Sequence, residues 1–517
     1  MITAAKIESS CSQKHYNLGY IWAVSLIAAM GGLLFGYDWV VIGGAAKFYE
    51  AFFHLKDTAM HVAQNASVWE KLKANAISPV GWAQSCALLG CLGGAIASGA
   101  LSDRSGRKPV LIIAALNFVV SSLGIALAQT FLAFVFWRIL GGVSIGLASN
   151  ISPMYISEIA PAERRGLLVA INQLTIVIGI LAAQFVNWQI ARPVTPELSE
   201  MLASLRSLEG AQYDAALDAY LSAMAQTWNS TTGWRWMFAA CALPSLLFFV
   251  CSLFVPESPR WLVKAGLNQR ARSILAHIGG PGYAERELAN IKNTVADQNK
   301  HVRLGELLER RVVVVLGMGI ALAVLQQWCG INVIFNYAGE IFTQAGFNMD
   351  DTLTSIVATG SVNFLFTFVA LFTVDRLGRK PLMLFGFAGL AFIYIVLGYC
   401  YQLKSQGAAV SPILFLVLVL MAIGCYAMSL APVTWVIISE IFPNRIRGTA
   451  MSVAVSFLWI ACFILTYTFP ILKSLLGASV TFWIYAGICG FGFVFVLTRL
   501  AETKGRTLEQ IEKQLTD

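Results

Sequence analysis

The sequence predicts an all-α integral membrane protein with twelve spanning helices arranged as two related six-helix halves. Three observations carry that prediction. Hydrophobic residues make up 57% of the 517-residue chain and charged residues only 12%, where soluble domains carry about 25% charged residues. The apolar residues gather in twelve runs, each long enough to cross a hydrocarbon core about 30 Å thick. Two charged motifs recur at equivalent places in the two halves of the chain.

The runs lie near 20–44, 82–102, 109–128, 131–155, 167–190 and 236–255, and, after a polar stretch at 256–310, near 311–338, 353–374, 381–401, 411–438, 448–470 and 478–499. The chain therefore divides into an N-terminal six-helix half (1–255), a helical linker (256–310), a C-terminal six-helix half (311–500) and a tail (501–517). The segment up to Tyr16 is polar and mixed, with no cleavable signal pattern, so the first run is expected to be retained as a helix. An even number of spans puts both termini on one side.

Lysine and arginine say which side. Loops on the terminal side hold Arg104, Arg107, Lys108, Arg164, Arg165, Arg376, Arg379, Lys380, Arg445 and Arg447. The linker adds Arg260, Lys264, Arg270, Arg272, Lys292 and Arg303, and the tail Lys504, Arg506 and Lys513. The other side has few, such as Lys47, Lys56, Lys71, Arg206 and Lys404. By the positive-inside rule both termini and the linker are cytoplasmic, in a multi-pass protein of the plasma membrane, or of the inner membrane in a bacterium. The external side then carries two long loops, 45–80 and 191–235. The second has helix-like apolar spacing and is expected to form one or two amphipathic helices over the outer mouth. Asn65-Ala66-Ser67 and Asn229-Ser230-Thr231 match the glycosylation pattern and fall on this side, a weak agreement with the topology.

Several function classes are excluded. The net charge of +8 sits in short clusters between apolar runs, not in a basic stripe with interleaved aromatics, so no nucleic-acid partner is expected. The ten cysteines lie mostly within apolar runs, as Cys86, Cys91, Cys251 and Cys462 do, and show no disulfide or zinc spacing. His15, His54, His61, His277 and His301 all fall outside the spans, and there is no Ser-His-Asp set, metal-ligand cluster or phosphate loop. The expectation is a monomer in the lipid bilayer that is not an enzyme and holds no cofactor or metal.

The duplication is the strongest signal. Asp103-Arg104-Ser105-Gly106-Arg107-Lys108-Pro109 joins spans two and three, and Asp375-Arg376-Leu377-Gly378-Arg379-Lys380-Pro381 joins spans eight and nine. Ser157-Glu158-Ile159, with Pro161 and Arg165-Gly166, ends span four, and Ser439-Glu440-Ile441, with Pro443 and Arg447-Gly448, ends span ten. This is a parallel repeat about an axis along the membrane normal, with a substrate site expected near the midplane between the halves. The charged loops can form ion pairs between helix ends, with the Ser-Glu supplying the anion and a capping acceptor. Such clusters can act as a cytoplasmic gate, or simply hold helix ends together.

With these motifs in place, nearly the whole chain resembles the sugar porter family of the major facilitator superfamily, and within it the bacterial xylose–proton symporters. The residues carrying the resemblance are Gly31-Gly32-Leu33-Leu34-Phe35-Gly36-Tyr37-Asp38, both Asp-Arg-x-Gly-Arg-Lys-Pro loops, Pro256-Glu257-Ser258-Pro259-Arg260-Trp261-Leu262, Gln326-Gln327-x-x-Gly330-Ile331-Asn332 and Glu502-Thr503-Lys504-Gly505. The resemblance implies the major facilitator fold and a proton-coupled symporter of a pentose or hexose working by alternating access. It implies a gate formed by Asp103, Arg104, Arg107, Glu158, Arg165, Glu257, Arg260, Asp375, Arg376, Arg379, Glu440, Arg447 and Glu502.

A sugar offers hydroxyls that donate and accept at once, plus apolar C–H faces, and neutral amides and flat aromatics match that chemistry. Within the spans stand Gln173, Gln326, Gln327, Asn332 and Asn363, with Trp435 and Trp459. Gln326 and Asn332 are six apart, so a helix broken near Gly330 would aim both at one cavity. Amides in membrane helices also serve as glue between helices. In the resembling family, however, the positions of Gln173, Gln326, Gln327, Asn332, Asn363 and Trp435 hold sugar; Trp459 and Phe35 are weaker candidates. The chain departs from the family at Leu458, where a polar amide is usual, at Asn336, where xylose symporters have tyrosine, and at Ala431, where glycine is usual.

Asp38 lies well inside span one, and a carboxylate in a membrane is costly enough to imply a function and a partner. Arg138 on span four is the expected partner. Burial favours a neutral carboxyl and a guanidinium a charged one, so a contact made and broken during rocking would load and unload a proton. In the resembling family an Asp here marks proton symporters. Cys241 stands where xylose symporters carry a span-six glutamate, so Asp38 would act alone. The alternatives are a facilitative uniporter, with Asp38–Arg138 as a static tether, and a non-transporting membrane sugar sensor. The short tails count against the sensor.

Overall fold

The computed structural model describes residues 16–55, 78–161, 163–205, 210–298, 310–442, 447–500 and 502, and among these every regular element is helical. Eleven stretches are apolar and long enough to cross a membrane, and the last, Thr449–Arg499, is two helices joined at Gly477 (φ 79°), which makes twelve spans. In order they are Leu18–Phe52, Pro79–Ser105, Arg107–Leu127, Phe131–Ile159, Arg165–Ile190, Asn229–Ser252, Val312–Asn336, Met349–Val374, Arg379–Ser405, Pro412–Ile438 and the two limbs of Thr449–Arg499. Large apolar side chains point outward along them. Ile96, Leu132, Leu243, Phe254 and Phe392 are all more than half exposed, a surface that water would penalise and lipid would not.

Span one runs past the apolar run that predicts it. Reading for apolar residues stops before Lys47, but Ala45, Ala46, Phe48, Tyr49 and Ala51 stay buried and carry the helix on to Phe52. Lys47 and Glu50 therefore belong to the helix, not to a loop. Span six begins earlier than 236, through a π-turn at Asn229–Gly233. In the segment between spans five and six, helices form at Pro196–Ser204 and Gly210–Ala225, and the second buries Tyr220, Leu221 and Met224 beside the end of span one. The linker forms helices at Pro259–Lys264 and Asn268–Gln298, the latter broken at Gly279-Gly280.

Asn229, in one of the two triplets that match the glycosylation pattern, is engaged. Its side chain accepts from the Arg192 backbone N–H and donates to the Arg192 carbonyl, both at 2.8 Å, and the residue is buried. An amide so engaged is not open to glycosylation. The Asn65 triplet lies outside the described residues.

Helices approach closely at glycines. A Cβ on Gly142 or Gly90 would collide with the backbone of Ala87 or Ile139, which locks spans two and four together; Gly36 and Gly179 do the same for spans one and five. The halves meet through span one with span seven, span two with span eleven, and span five with span eight. These contacts lie toward the face opposite the termini. A Cβ on Gly43 would fall 2.6 Å from the Phe335 carbonyl, Trp82 packs edge-on against Phe463 and Tyr467, and Gln184 donates to Thr359 at 3.3 Å.

Candidate functional site

Asp38 and Arg138 meet inside the N-terminal half. The Arg138 guanidinium donates to Asp38 Oδ2 at 3.1 Å and to the Asp38 carbonyl at 3.4 Å, and both residues are 2% exposed. Phe238 of span six lies under the guanidinium at 5.6 Å. Cys241, one turn further on, is buried and within hydrogen-bonding reach of Ser245. Removing either partner of a pair this buried would leave the other charge without compensation.

The amides come together in the C-terminal half. Span seven breaks at Gly330, whose φ of 86° only glycine adopts without strain, and the short helix Ile331–Asn336 resumes beyond it. The break turns Asn332 back, so that its Nδ2 donates to Gln327 Oε1. Gln327 Nε2 in turn donates to Gln326 Oε1 at 2.9 Å, and Gln326 Nε2 donates to the Tyr426 hydroxyl at 2.5 Å. Cys462 of span eleven lies 3.5 Å from Asn332 Nδ2. Asn363 is buried on span eight, Trp435 is half-buried on span ten, and Gln173 is half-buried on span five of the opposite half.

The aromatic candidates join the two halves. Trp459 packs against Phe35 at 6.0 Å and Trp39 at 5.9 Å, and Phe35 meets Trp39 at 6.0 Å. The Trp459 indole N–H is buried without a hydrogen-bond acceptor among the described residues. Buried donors are rarely left so, and an indole beside two rings suits a ligand with both oxygens and C–H faces.

The charged motifs at the terminal face build matching structures in both halves. Gly106 (φ 96°) starts span three and Gly378 (φ 94°) starts span nine. Glu257 accepts from the backbone N–H groups of Arg107 and Lys108, and Glu502 accepts from those of Arg379 and Lys380. Each carboxylate thus satisfies free N–H groups at a helix N-terminus, where negative charge is favoured. Lys108 and Lys380 return the symmetry by donating to the carbonyls of Leu253 and Leu497. Glu158 is held by Arg107 through two bonds of 3.0 Å and by the Ser258 hydroxyl, and Asp103 reaches Arg107 at 3.5 Å and Lys264 at 3.3 Å. The capping carboxylates are therefore Glu257 and Glu502, and in the N-terminal half Glu158 serves as the buried anion and not as the cap. These N-terminal pairs close within one half and its linker. Arg104 and Arg376 are exposed, Arg165, Arg260 and Arg379 half-buried. The side chains of Asp375, Glu440 and Arg447 lie outside the described ones.

Sequence reasoning missed Tyr426, Trp39 and Ser258. A phenol within the otherwise apolar run 411–438 was the available signal for the first.

Two six-helix halves meeting near buried amides and indoles, with the Asp38–Arg138 pair buried inside one of them, define a multi-pass membrane transporter of the major facilitator architecture. Residues 24–515 match the family described as "Sugar (and other) transporter". The chain is 36% identical to the D-xylose-proton symporter of Escherichia coli (strain K12), covering 96% of each chain, and 35% identical to the arabinose-proton symporter of Bacillus subtilis (strain 168), covering 97% of this chain and 96% of that one. It superposes with a TM-score of 0.74, at 35% identity, on the structure of the proton:xylose symporter XylE bound to 6-bromo-6-deoxy-D-glucose, covering 97% of this chain and 100% of that one. The protein belongs to the sugar transporter family.

Proposed function

We propose that this protein carries a monosaccharide, pentose or hexose, into the cell together with a proton. The observation that carries the coupling is the buried Asp38–Arg138 pair, with 3.1 Å between charges and almost no solvent. An ion pair in that position costs free energy that packing alone does not require. Gln326, Gln327 and Asn332, with Asn363, Trp435, Trp459, Phe35 and Gln173, hold the sugar. The excess of Lys and Arg on the terminal face makes that face cytoplasmic, with both termini inside. Halves that touch near Gly43, Trp82 and Gln184 then correspond to closure on the outer side and an inward-facing state. The charged clusters at the cytoplasmic helix ends gate the inner side.

Cys241 favours a second reading. With a thiol where xylose symporters carry a glutamate, no second carboxylate relays the proton, and a uniporter with Asp38 as tether follows if one carboxylate is too few. Uptake of labelled xylose, glucose, galactose and arabinose into proteoliposomes separates the two. Accumulation that needs an inward proton gradient and collapses with an uncoupler supports symport; equilibration insensitive to pH supports the uniporter.

A further inference from the structure

The amide string on span seven ends on a residue that no motif singles out. Asn332 donates to Gln327, Gln327 to Gln326, and Gln326 to the Tyr426 hydroxyl of span ten. Every step runs in the same sense. Each side-chain carbonyl between the ends is occupied by its neighbour's N–H, so the two ends differ in chemistry. At one end Asn332 offers a carbonyl oxygen, an acceptor. At the other Tyr426 has accepted one N–H and keeps its own O–H, a donor, with no acceptor for it among the described residues. The phenol keeps this part as long as the three amides hold this orientation. If it turned its proton toward Gln326 it would face an N–H, two donors in opposition.

Position supports the same conclusion. Span ten breaks just beyond Tyr426, at Ser429 (φ −126°, ψ −86°), as span seven breaks at Gly330. Two interrupted helices thus bring one phenol and three amides together between Cys462 of span eleven and the core. Gln326, Gln327 and Asn332 are buried, while Tyr426 is only half-buried. It is the most open member of the string, and it is held at the position where Gln326 is fixed.

We propose that Tyr426 is a specificity-determining residue of the sugar site: its hydroxyl, fixed by accepting the Gln326 N–H, donates its own O–H to one hydroxyl oxygen of the bound sugar. The proposal rests on the reading of this site as a sugar site. A hydroxyl-bearing ring here selects for an oxygen at one ring position of the substrate, whereas a plain ring would select only for a C–H face.

The test is Tyr426→Phe, which keeps the ring and removes one oxygen. Binding of D-xylose, D-glucose and their single-deoxy analogues is measured on purified protein by intrinsic tryptophan fluorescence, with the thermal midpoint of each sample confirming the fold. Phe is expected to weaken binding of the parent sugar by roughly ten-fold, the size of one lost neutral hydrogen bond. The analogue lacking the partner hydroxyl binds wild type and Tyr426→Phe alike, while the other analogues keep the ten-fold ratio. A ratio that is the same for every deoxy analogue, or no loss with the parent, overturns the assignment and leaves the sugar reading intact. A wild type that binds none of these sugars overturns both.

Discussion

Replacing Asp38 by Asn removes the titrating group and keeps its shape. In wild type each sugar that enters with one proton, down a potential of about 100 mV, gains roughly 2.3 kcal/mol. At about 1.4 kcal/mol per ten-fold, that supports accumulation of roughly 50-fold. The mutant has no group to carry the proton, so its ceiling is the equilibrium level whatever the potential. The replacement also leaves the Arg138 charge at 2% exposure, with only the Asp38 carbonyl at 3.4 Å, the new amide oxygen and the Phe238 ring for company. Breaking a buried pair costs about 3–5 kcal/mol, and an Asn that retains an acceptor belongs at the lower end. The assay uses proteoliposomes with a potassium diffusion potential, following labelled xylose and glucose. Wild type is expected to accumulate sugar far above equilibrium, and Asp38→Asn to reach equilibrium only while still exchanging internal for external sugar. Uphill uptake by the mutant would refute the coupling role. A folded mutant that no longer exchanges sugar would refute it too, because the pair would then be needed for the conformational change itself.

The other expectations concern the sugar string, the terminal face and the outer closure. Gln327→Ala interrupts the string between Asn332 and Gln326 and is expected to weaken sugar binding by about 1–3 kcal/mol, read as a rise in the dissociation constant; an unchanged constant moves the site elsewhere. Arg107→Met leaves Glu158 buried with only Ser258 beside it, so the thermal midpoint of the detergent-solubilised protein falls, by the equivalent of about 3 kcal/mol, and added salt does not rescue it. Gly43→Leu drives a side chain into the Phe335 and Asn336 carbonyls and is expected to part the outer ends, making a cysteine placed at Thr359, which meets Gln184 across the halves, more reactive to a membrane-impermeant thiol reagent added from outside. Lys47, paired with Glu50 on span one, shares its field with Glu340, which Lys473 holds from span eleven. Lys47→Met is therefore expected to loosen the same closure, read with the same reagent; unchanged reactivity would show that the charges do not act across the halves.

Much of this was legible because membrane insertion constrains sequence so strongly. Apolar runs of spanning length mark helices with little ambiguity, and the fold class followed from them and from the duplicated motifs. The limits of the runs were less legible, because hydropathy registers charge and not backbone. Lys47 ended the apolar run in span one while buried neighbours carried the helix on, and Asn229 looked like a loop residue while its amide was occupied by Arg192. The Asp38–Arg138 contact could be expected because few partners exist for a charge in a membrane. The closure of the amide string onto Tyr426 could not. It depends on the left-handed turn at Gly330 and on a tyrosine about 100 residues away, a juxtaposition that no local pattern encodes. The capping roles of Glu257 and Glu502 were hidden for the same reason: the acceptor and the helix end it serves are 150 and 123 residues apart.

The geometry also constrains how coupling can work. Asp38 and Arg138 both belong to the N-terminal half, so a rigid rocking of one half against the other leaves their contact unchanged. For the pair to open, span one must move relative to span four. Span one is the element placed to do so, since it is the part of the N-terminal half that carries both Asp38 and the rings facing the sugar residues. Phe35 and Trp39 are four apart, on one face of the helix, and both rest on Trp459 of the opposite half; Asp38 lies between them on an adjoining face, against span four. A sugar packed against Trp459, as proposed, would push on the same helix that holds the carboxylate, less than one turn away. Movement of span one is resisted by its glycine contacts with span five, at Gly36 and Gly179, where the backbones touch. On the proposed symport, proton release and sugar occupancy would be linked through the position of one helix, with Arg138 left in the buried core of its half.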